Sequence, residues 1–113
     1  MAPEEFTATL NGATQEQLDS LEQAHWRYMN LAGIVFDGIA PDVVAADKAT
    51  FPQYIKRDNG SGSPVFSDAD CKDFMVTITG LSAEFCEAWR DRDFYELHGE
   101  TADDMASRQQ PNV

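Results

Sequence analysis

The sequence has few basic residues, few cysteines and no long hydrophobic run. Eight Lys and Arg against twenty Asp and Glu give 113 residues a formal net charge of −12. Phosphate contacts need clustered Lys and Arg, so we predict no nucleic-acid ligand. No window approaches the ~18–20 consecutive apolar residues of a membrane span, and no signal segment opens the chain. We therefore predict one soluble domain over residues 1–113.

Motifs that would carry chemistry are also missing from the sequence. There is no glycine-rich phosphate loop, no CxxC pair and no clustered histidine. The acidic run at 68–73 lacks the glycine and distal glutamate of a calcium loop. Neither histidine stands near a nucleophile motif. We predict no cofactor, no metal, no small-molecule substrate and no enzymatic activity.

The main predicted helix begins near Thr14, where Thr14 and Gln17 have the spacing of a capping box. Apolar residues then recur every three or four positions up to Gly33 or Gly38, either of which could end the helix. His25 lies on this apolar stripe, where a lone histidine is usually a core residue and not a ligand. A second, shorter helix is predicted from Pro41 to Ala49, and residues 56–64 read as a loop.

Residues Phe74–Trp89 read as a strand followed by a helix. Apolar and polar side chains alternate from Phe74 to Thr79, as in a sheet strand, and Gly80 breaks the pattern. Ser82 is a suitable N-cap for the helix that follows. Further strands are predicted at 94–97 and, at a sheet edge, at 64–66. The predicted fold is α+β, an N-terminal amphipathic helix packed on a small antiparallel sheet. Residues 1–13 are predicted to be a loosely ordered leader or a short strand around Phe6–Leu10, and residues 100–113 a loosely ordered tail.

The two cysteines, Cys71 and Cys86, form either a disulfide or a pair of free core thiols. A disulfide requires an oxidising compartment. It also requires the segment before Phe74 to curl back over the strand, because bridged Cα atoms must lie within about 7 Å. We predict the Cys71–Cys86 disulfide under those conditions, with two free thiols as the alternative.

The strand, glycine corner and cysteine-bearing helix resemble the globular domain of type IVb pilins. In that family an alternating strand is followed by Gly-Leu-Thr/Ser and then by a helix with a cysteine four residues after the hydroxyl residue. The residues that match this pattern are Phe74, Val76, Ile78, Gly80, Leu81, Ser82 and Cys86. The family's hydrophobic N-terminal half-helix is missing, its second cysteine normally lies downstream, and the chain is short. A small minor pilin lacking its membrane helix fits these departures best.

This resemblance implies a structural subunit of a pilus-like filament, working in assembly, adhesion or conjugation. Its partners would be other pilin subunits, and a membrane would be reached only through the missing N-terminal helix. The implied location is an extracellular pilus or the periplasmic face of the inner membrane. Trp26, beside the apolar stripe, would then be a subunit-interface residue.

The alternative is a cytoplasmic acidic binding protein, such as a toxin-immunity protein or a phage-encoded inhibitor that mimics DNA. A charge of −12 suits a protein that meets a basic target surface. Small size, acidity and the lack of catalytic motifs agree with both hypotheses. The redox state of the cysteines and the sequence upstream in the gene would separate them.

Overall fold

The computed structural model describes residues 1–34, 37–55 and 66–109, and the regular structure in these ranges is helical throughout. In chain order the elements are α1 (Pro3–Leu10), α2 (Gln15–Leu31), α3 (Pro41–Thr50), a 3-10 turn (Pro52–Tyr54), α4 (Asp68–Thr79), α5 (Ala83–His98) and α6 (Ala102–Gln109). No strand occurs in the described ranges. The predicted α+β fold, with a helix packed on an antiparallel sheet, is therefore wrong.

The N-terminal helix prediction is confirmed in α2. The Thr14 hydroxyl accepts the Gln17 amide N–H at 3.1 Å, and the Gln17 side chain accepts the Thr14 amide N–H at 2.9 Å. This reciprocal capping box satisfies two amide groups that the first turn leaves without partners. The helix ends at Leu31, before Gly33, whose φ of +91° suits glycine. Helix α3 begins at Pro41, as predicted.

Helix α4 replaces the main predicted strand. The Ser67 hydroxyl accepts the Asp70 amide N–H at 3.2 Å and starts the helix, and Gly80 ends it with φ +70°. Cys71, Phe74 and Met75 are all fully buried, at the three- and four-residue spacing of one helix face. In a strand, Phe74 and Met75 would point to opposite faces. The segment before Phe74 thus continues the helix instead of curling over a strand.

The last turn of α4 explains why the local sequence suggested a strand. Val76, Thr77, Ile78 and Thr79 are all β-branched, and such residues favour strands. The hydroxyls of Thr77 and Thr79 instead donate to the carbonyls of Asp73 and Met75, at 3.0 and 2.7 Å. Serine and threonine often bond back to the preceding turn in this way inside helices. Burial of the Cys71, Phe74 and Met75 face therefore overrides the local preference.

Helix α5 replaces the second predicted strand. Its start is confirmed, because the Ser82 hydroxyl accepts the Phe85 amide N–H at 3.1 Å. The helix then continues through residues 94–97 to His98, and the strand predicted there is wrong. The Phe94 ring lies 4.3 Å from the His98 ring, centroid to centroid. This contact joins side chains four residues apart, as a helix does.

The two chain ends also carry helices. Residues Pro3–Leu10 of the predicted leader form α1, and Phe6 and Leu10 are buried against α5. Residues Ala102–Gln109 of the predicted tail form α6. The predicted loop at 56–64 and most of the predicted edge strand at 64–66 lie outside the described residues. None of the described helices is both long and apolar enough to cross a bilayer.

The core lies where α4 packs between α2 and α5. Phe74 of α4 is at its centre, and its ring centroid is 6.0 Å from that of Tyr28, 5.2 Å from Phe51 and 5.5 Å from Tyr54. Tilted and edge-on ring pairs at these distances are favourable beyond the area they bury. This cluster joins α2, the segment after α3, and α4.

Candidate functional site

Three of the six described Lys and Arg side chains are held in ion pairs that face inward. Arg27 of α2 donates two hydrogen bonds to the buried Asp47 of α3, at 2.8 and 2.6 Å. Lys72 of α4 lies 3.3 Å from Asp68 and 2.9 Å from Asp91 of α5. These pairs tie neighbouring helices together, and they remove positive charge from the outer surface.

Arg90 of α5 is the most buried of these cations. Its Nε lies 2.9 Å from Asp68 Oδ1, although the N–H does not point at this oxygen, and its Nη1 donates to Asp93 Oδ2 at 3.0 Å. The guanidinium also lies 5.6 Å from the ring centroids of both Phe66 and Phe94. Stacking on aromatic faces suits arginine better than lysine.

The remaining described cations leave little free positive charge. Arg108 bonds to Glu100, and Arg92 lies 4.0 Å from Glu96. Lys48 of α3 is exposed and makes no ion pair within the described structure. Local pairing thus uses most of the described cations.

The outer surface is dominated by carboxylates without a basic partner. The exposed carboxylates that make no ion pair with any described residue are Glu4, Glu5, Glu16, Asp19, Glu22, Asp37, Asp42, Asp70, Asp73, Glu84 and Asp104. They occur on every helix of the fold and on the loop before α3. A surface of one sign attracts and steers a partner of the opposite sign.

A groove between α2 and the end of α4 carries two of these carboxylates. Its volume is about 640 Å³. Glu16 and Asp19 line the α2 side, and Ala24 and Ile78 give it an apolar floor. Arg27 closes one end, but its charge is matched by Asp47. The groove therefore combines net negative charge with apolar surface.

His25 of α2 is buried, as its position on the apolar stripe predicted. It is 4% exposed, and neither ring nitrogen has a hydrogen-bond partner among the described residues. Its ring centroid is 5.1 Å from that of Trp26 and 5.4 Å from that of Trp89. Burial, reinforced by the positive charge of Arg90 and opposed by Asp68, lowers the pKa of His25 to about 4.

We expect His25 to make the protein sensitive to acid. The unfolded chain binds a proton near the ordinary histidine pKa of ~6.5, whereas the folded chain resists protonation down to a pKa of about 4. Stability is therefore full above the unfolded pKa and falls as the pH drops from there toward the folded value. Between about pH 7 and about pH 5, this group should remove ~2 kcal/mol from the free energy of unfolding.

Urea unfolding of wild type and His25→Phe at both pH values measures this contribution. The free energy of unfolding should fall less between the two pH values in His25→Phe, by ~2 kcal/mol, because phenylalanine fills the site without binding a proton. His98→Gln, at an exposed histidine of α5, serves as the control and should keep the wild-type dependence. Equal pH dependence in wild type and His25→Phe would contradict the assignment.

The two cysteines are both buried free thiols in the structure. Cys71 Sγ lies 3.9 Å from Met75 Sδ, and Cys86 Sγ lies 3.7 Å from Thr79 Oγ1. Cys71 precedes Thr79 by two turns of α4, or ~12 Å along the axis. The structure thus does not bring the sulfurs together. The disulfide stays a prediction, for thiol titration of unreduced protein to test.

Burial also makes both thiols poor nucleophiles. It raises the pKa of Cys71 to about 12, and it raises the pKa of Cys86 as well. The reactive form of cysteine is the thiolate, which these environments disfavour. Neither sulfur is accessible in the way that catalytic cysteines are, although the charge of Arg90 opposes the effect of burial on the pKa of Cys71.

Trp26, the predicted interface residue, is partly buried in α2. Its ring packs beside His25, and its carbonyl accepts a hydrogen bond from the Asn30 side chain at 3.1 Å. The groove carboxylates Glu16 and Asp19 lie on the same helix. A role for Trp26 in subunit contacts stays a prediction.

Comparisons with family models, curated proteins and solved structures give no match. Function must therefore be argued from the site itself. Within the described ranges, no group of three or more His, Cys, Asp or Glu side chains is arranged to hold a metal ion. The features that remain are the acidic surface and the groove between α2 and α4.

Proposed function

We propose that this protein is a binding protein without enzymatic activity, which docks its acidic surface on a basic surface of a protein partner. The observation that supports this most directly is the distribution of charge. Arg27, Lys72 and Arg90 are held in ion pairs between helices or along α5. Most of the exposed carboxylates have no such partner among the described residues. Like charges on one surface repel each other, and a basic partner would relieve that repulsion.

This proposal corresponds to the acidic inhibitor or immunity-protein class predicted from the composition. Such proteins block a basic catalytic or nucleic-acid-binding surface, and charge complementarity brings specificity and fast association. The groove gives this acidic surface a concave region that a partner can fill. Trp26 and the ring cluster around Phe74 give the surrounding helices a rigid base.

The pilus-subunit hypothesis stays a prediction. Its resemblance depended on an alternating strand at residues 74–78, and those residues belong to α4. The Gly-Leu-Ser corner remains, but it joins two helices instead of a strand and a helix. With that change, no observation favours a pilus subunit over an acidic binding protein.

The dependence of association on salt tests the proposed function. The immobilised full chain would be used to capture proteins from its native host, and each captured protein would be identified and purified. We expect a partner with a basic surface, whose association rate constant falls at least ~10-fold between about 0.05 and about 0.5 M salt. The dissociation rate should change much less.

A neutral or acidic partner, or an association rate that salt leaves unchanged, would overturn the proposal. An unrelated protein of similar size and net charge, immobilised in parallel, identifies proteins captured by charge alone. Only partners that prefer this chain to that control count as support.

A further inference from the structure

We propose that the groove between α2 and α4 is the recognition site, and that it takes arginine side chains from an exposed segment of the partner. This inference rests on the proposed function and assigns its specificity to one place. Two features of the groove favour a basic side chain with a long apolar stem. They are its pair of free carboxylates and its apolar floor.

The carboxylates supply the charge. Glu16 and Asp19 are exposed, lie three residues apart on α2, and make no ion pair with any described residue. Asp19 Oδ1 accepts a hydrogen bond from the Gln15 side chain at 2.9 Å, which holds the carboxylate in place. Arg27 is the basic residue of the groove lining, and its guanidinium forks onto both oxygens of Asp47. An incoming cation therefore meets net negative charge.

The floor supplies the apolar contact. Ile78 of α4 is partly buried and gives the floor its accessible apolar surface, Thr79 of α4 is partly buried beside it, and Ala24 is fully buried beneath them. The methylene stem of an arginine can lie on such a surface while its head stays among polar groups. A planar guanidinium also binds a carboxylate through two parallel hydrogen bonds, which an ammonium cannot do.

The dimensions agree with side chains on an extended segment. The lining runs along α2 from Gln15 to Arg27, or ~18 Å at the rise of an α-helix. An extended stretch of about five residues spans the same length.

Peptide binding to two matched double variants tests the proposal. The probes are a decapeptide of alternating arginine and alanine and its counterpart with neutral citrulline in place of arginine. The groove variant is Glu16→Gln with Asp19→Asn. The control variant is Glu4→Gln with Glu22→Gln, which removes the same charge from exposed sites outside the groove lining. Glu4 and Glu16 both lie in a first helical turn, so the two variants should lose similar helix stability.

We expect the arginine peptide to bind wild type and the control variant with affinities that agree within about two-fold. The groove variant should bind at least ~10-fold more weakly, since losing one charge-assisted hydrogen bond is worth about that factor. The citrulline peptide should bind none of them measurably. In NMR titrations of wild type, the shifted amides should belong to residues 15–27 of α2 and to Ile78 and Thr79.

If the arginine peptide bound both double variants equally weakly, the groove assignment would be overturned, because negative charge anywhere on the surface would then be enough for binding. The same holds for undiminished binding to the groove variant, or for amide shifts confined to other helices. These outcomes leave the proposed function standing if the native partner still associates in a salt-dependent way. A salt-independent native association would instead overturn the proposed function.

Discussion

Replacing Phe74 with alanine is expected to destabilise the protein by ~4 kcal/mol, close to the whole stability of many small domains. The side chain is fully buried, and its ring contacts three other aromatic rings from two parts of the chain. Alanine removes those contacts and leaves a cavity that the surrounding helices can only partly fill. Urea or thermal unfolding followed by circular dichroism measures the loss.

Leu97→Ala is the matched control for this prediction. Leu97 is 69% exposed at the end of α5, so removing its side chain leaves no cavity. We expect a change within about 0.5 kcal/mol, as for most surface substitutions. If Phe74→Ala were as mild as Leu97→Ala, Phe74 could not lie at the centre of the core.

Replacing Arg90 with alanine is expected to cost ~3 kcal/mol. The arginine side chain is 6% exposed and is the shared partner of Asp68 and Asp93. The substitution leaves two partly buried carboxylates without this cation. It also removes the packing of the guanidinium on Phe66 and Phe94. Burial already raises the pKa of Asp93, and Arg90 opposes that shift. The pKa of Asp93 should therefore rise further in the variant.

Arg92→Ala is the control on the same helix. Its side chain is 36% exposed, and its distance to Glu96 is at the limit of an ion pair. Exposed pairs of this kind contribute between zero and about 1 kcal/mol. An Arg90→Ala variant no less stable than Arg92→Ala would show that the buried network contributes nothing to the fold. NMR titration of Asp93 in the variant checks the expected change in its pKa.

The starts of α2, α3 and α5 were predictable because each has a local chemical signal. Thr14 with Gln17, Pro41 and Ser82 all mark helices that the structure contains. Helix α4 was missed because its β-branched last turn imitates a strand. The spacing of Cys71, Phe74 and Met75 already favoured a helix. That signal competed with an alternation that is equally visible in the sequence.

The candidate site was predictable only in its charge. Composition alone predicted an acidic surface suited to a basic partner. The groove could not be predicted, because it exists only where α4 packs beside α2, and the sequence pattern predicts a strand for Phe74–Thr79 of α4. Likewise, the burial of His25 followed from the apolar stripe. Its contact with the ring of Trp89 could not be predicted, because only the fold brings α5 to α2.

The helical state of residues 68–79 is the central claim, because α4 supplies both the middle of the core and one wall of the groove. Backbone NMR assignment of the full chain tests it most directly, through the deviation of each Cα chemical shift from its random-coil value. We predict an unbroken run of positive, helical deviations from Asp68 to Thr79, ending at Gly80. Negative deviations across Phe74–Ile78, as in a strand, would contradict the fold and remove the groove with it.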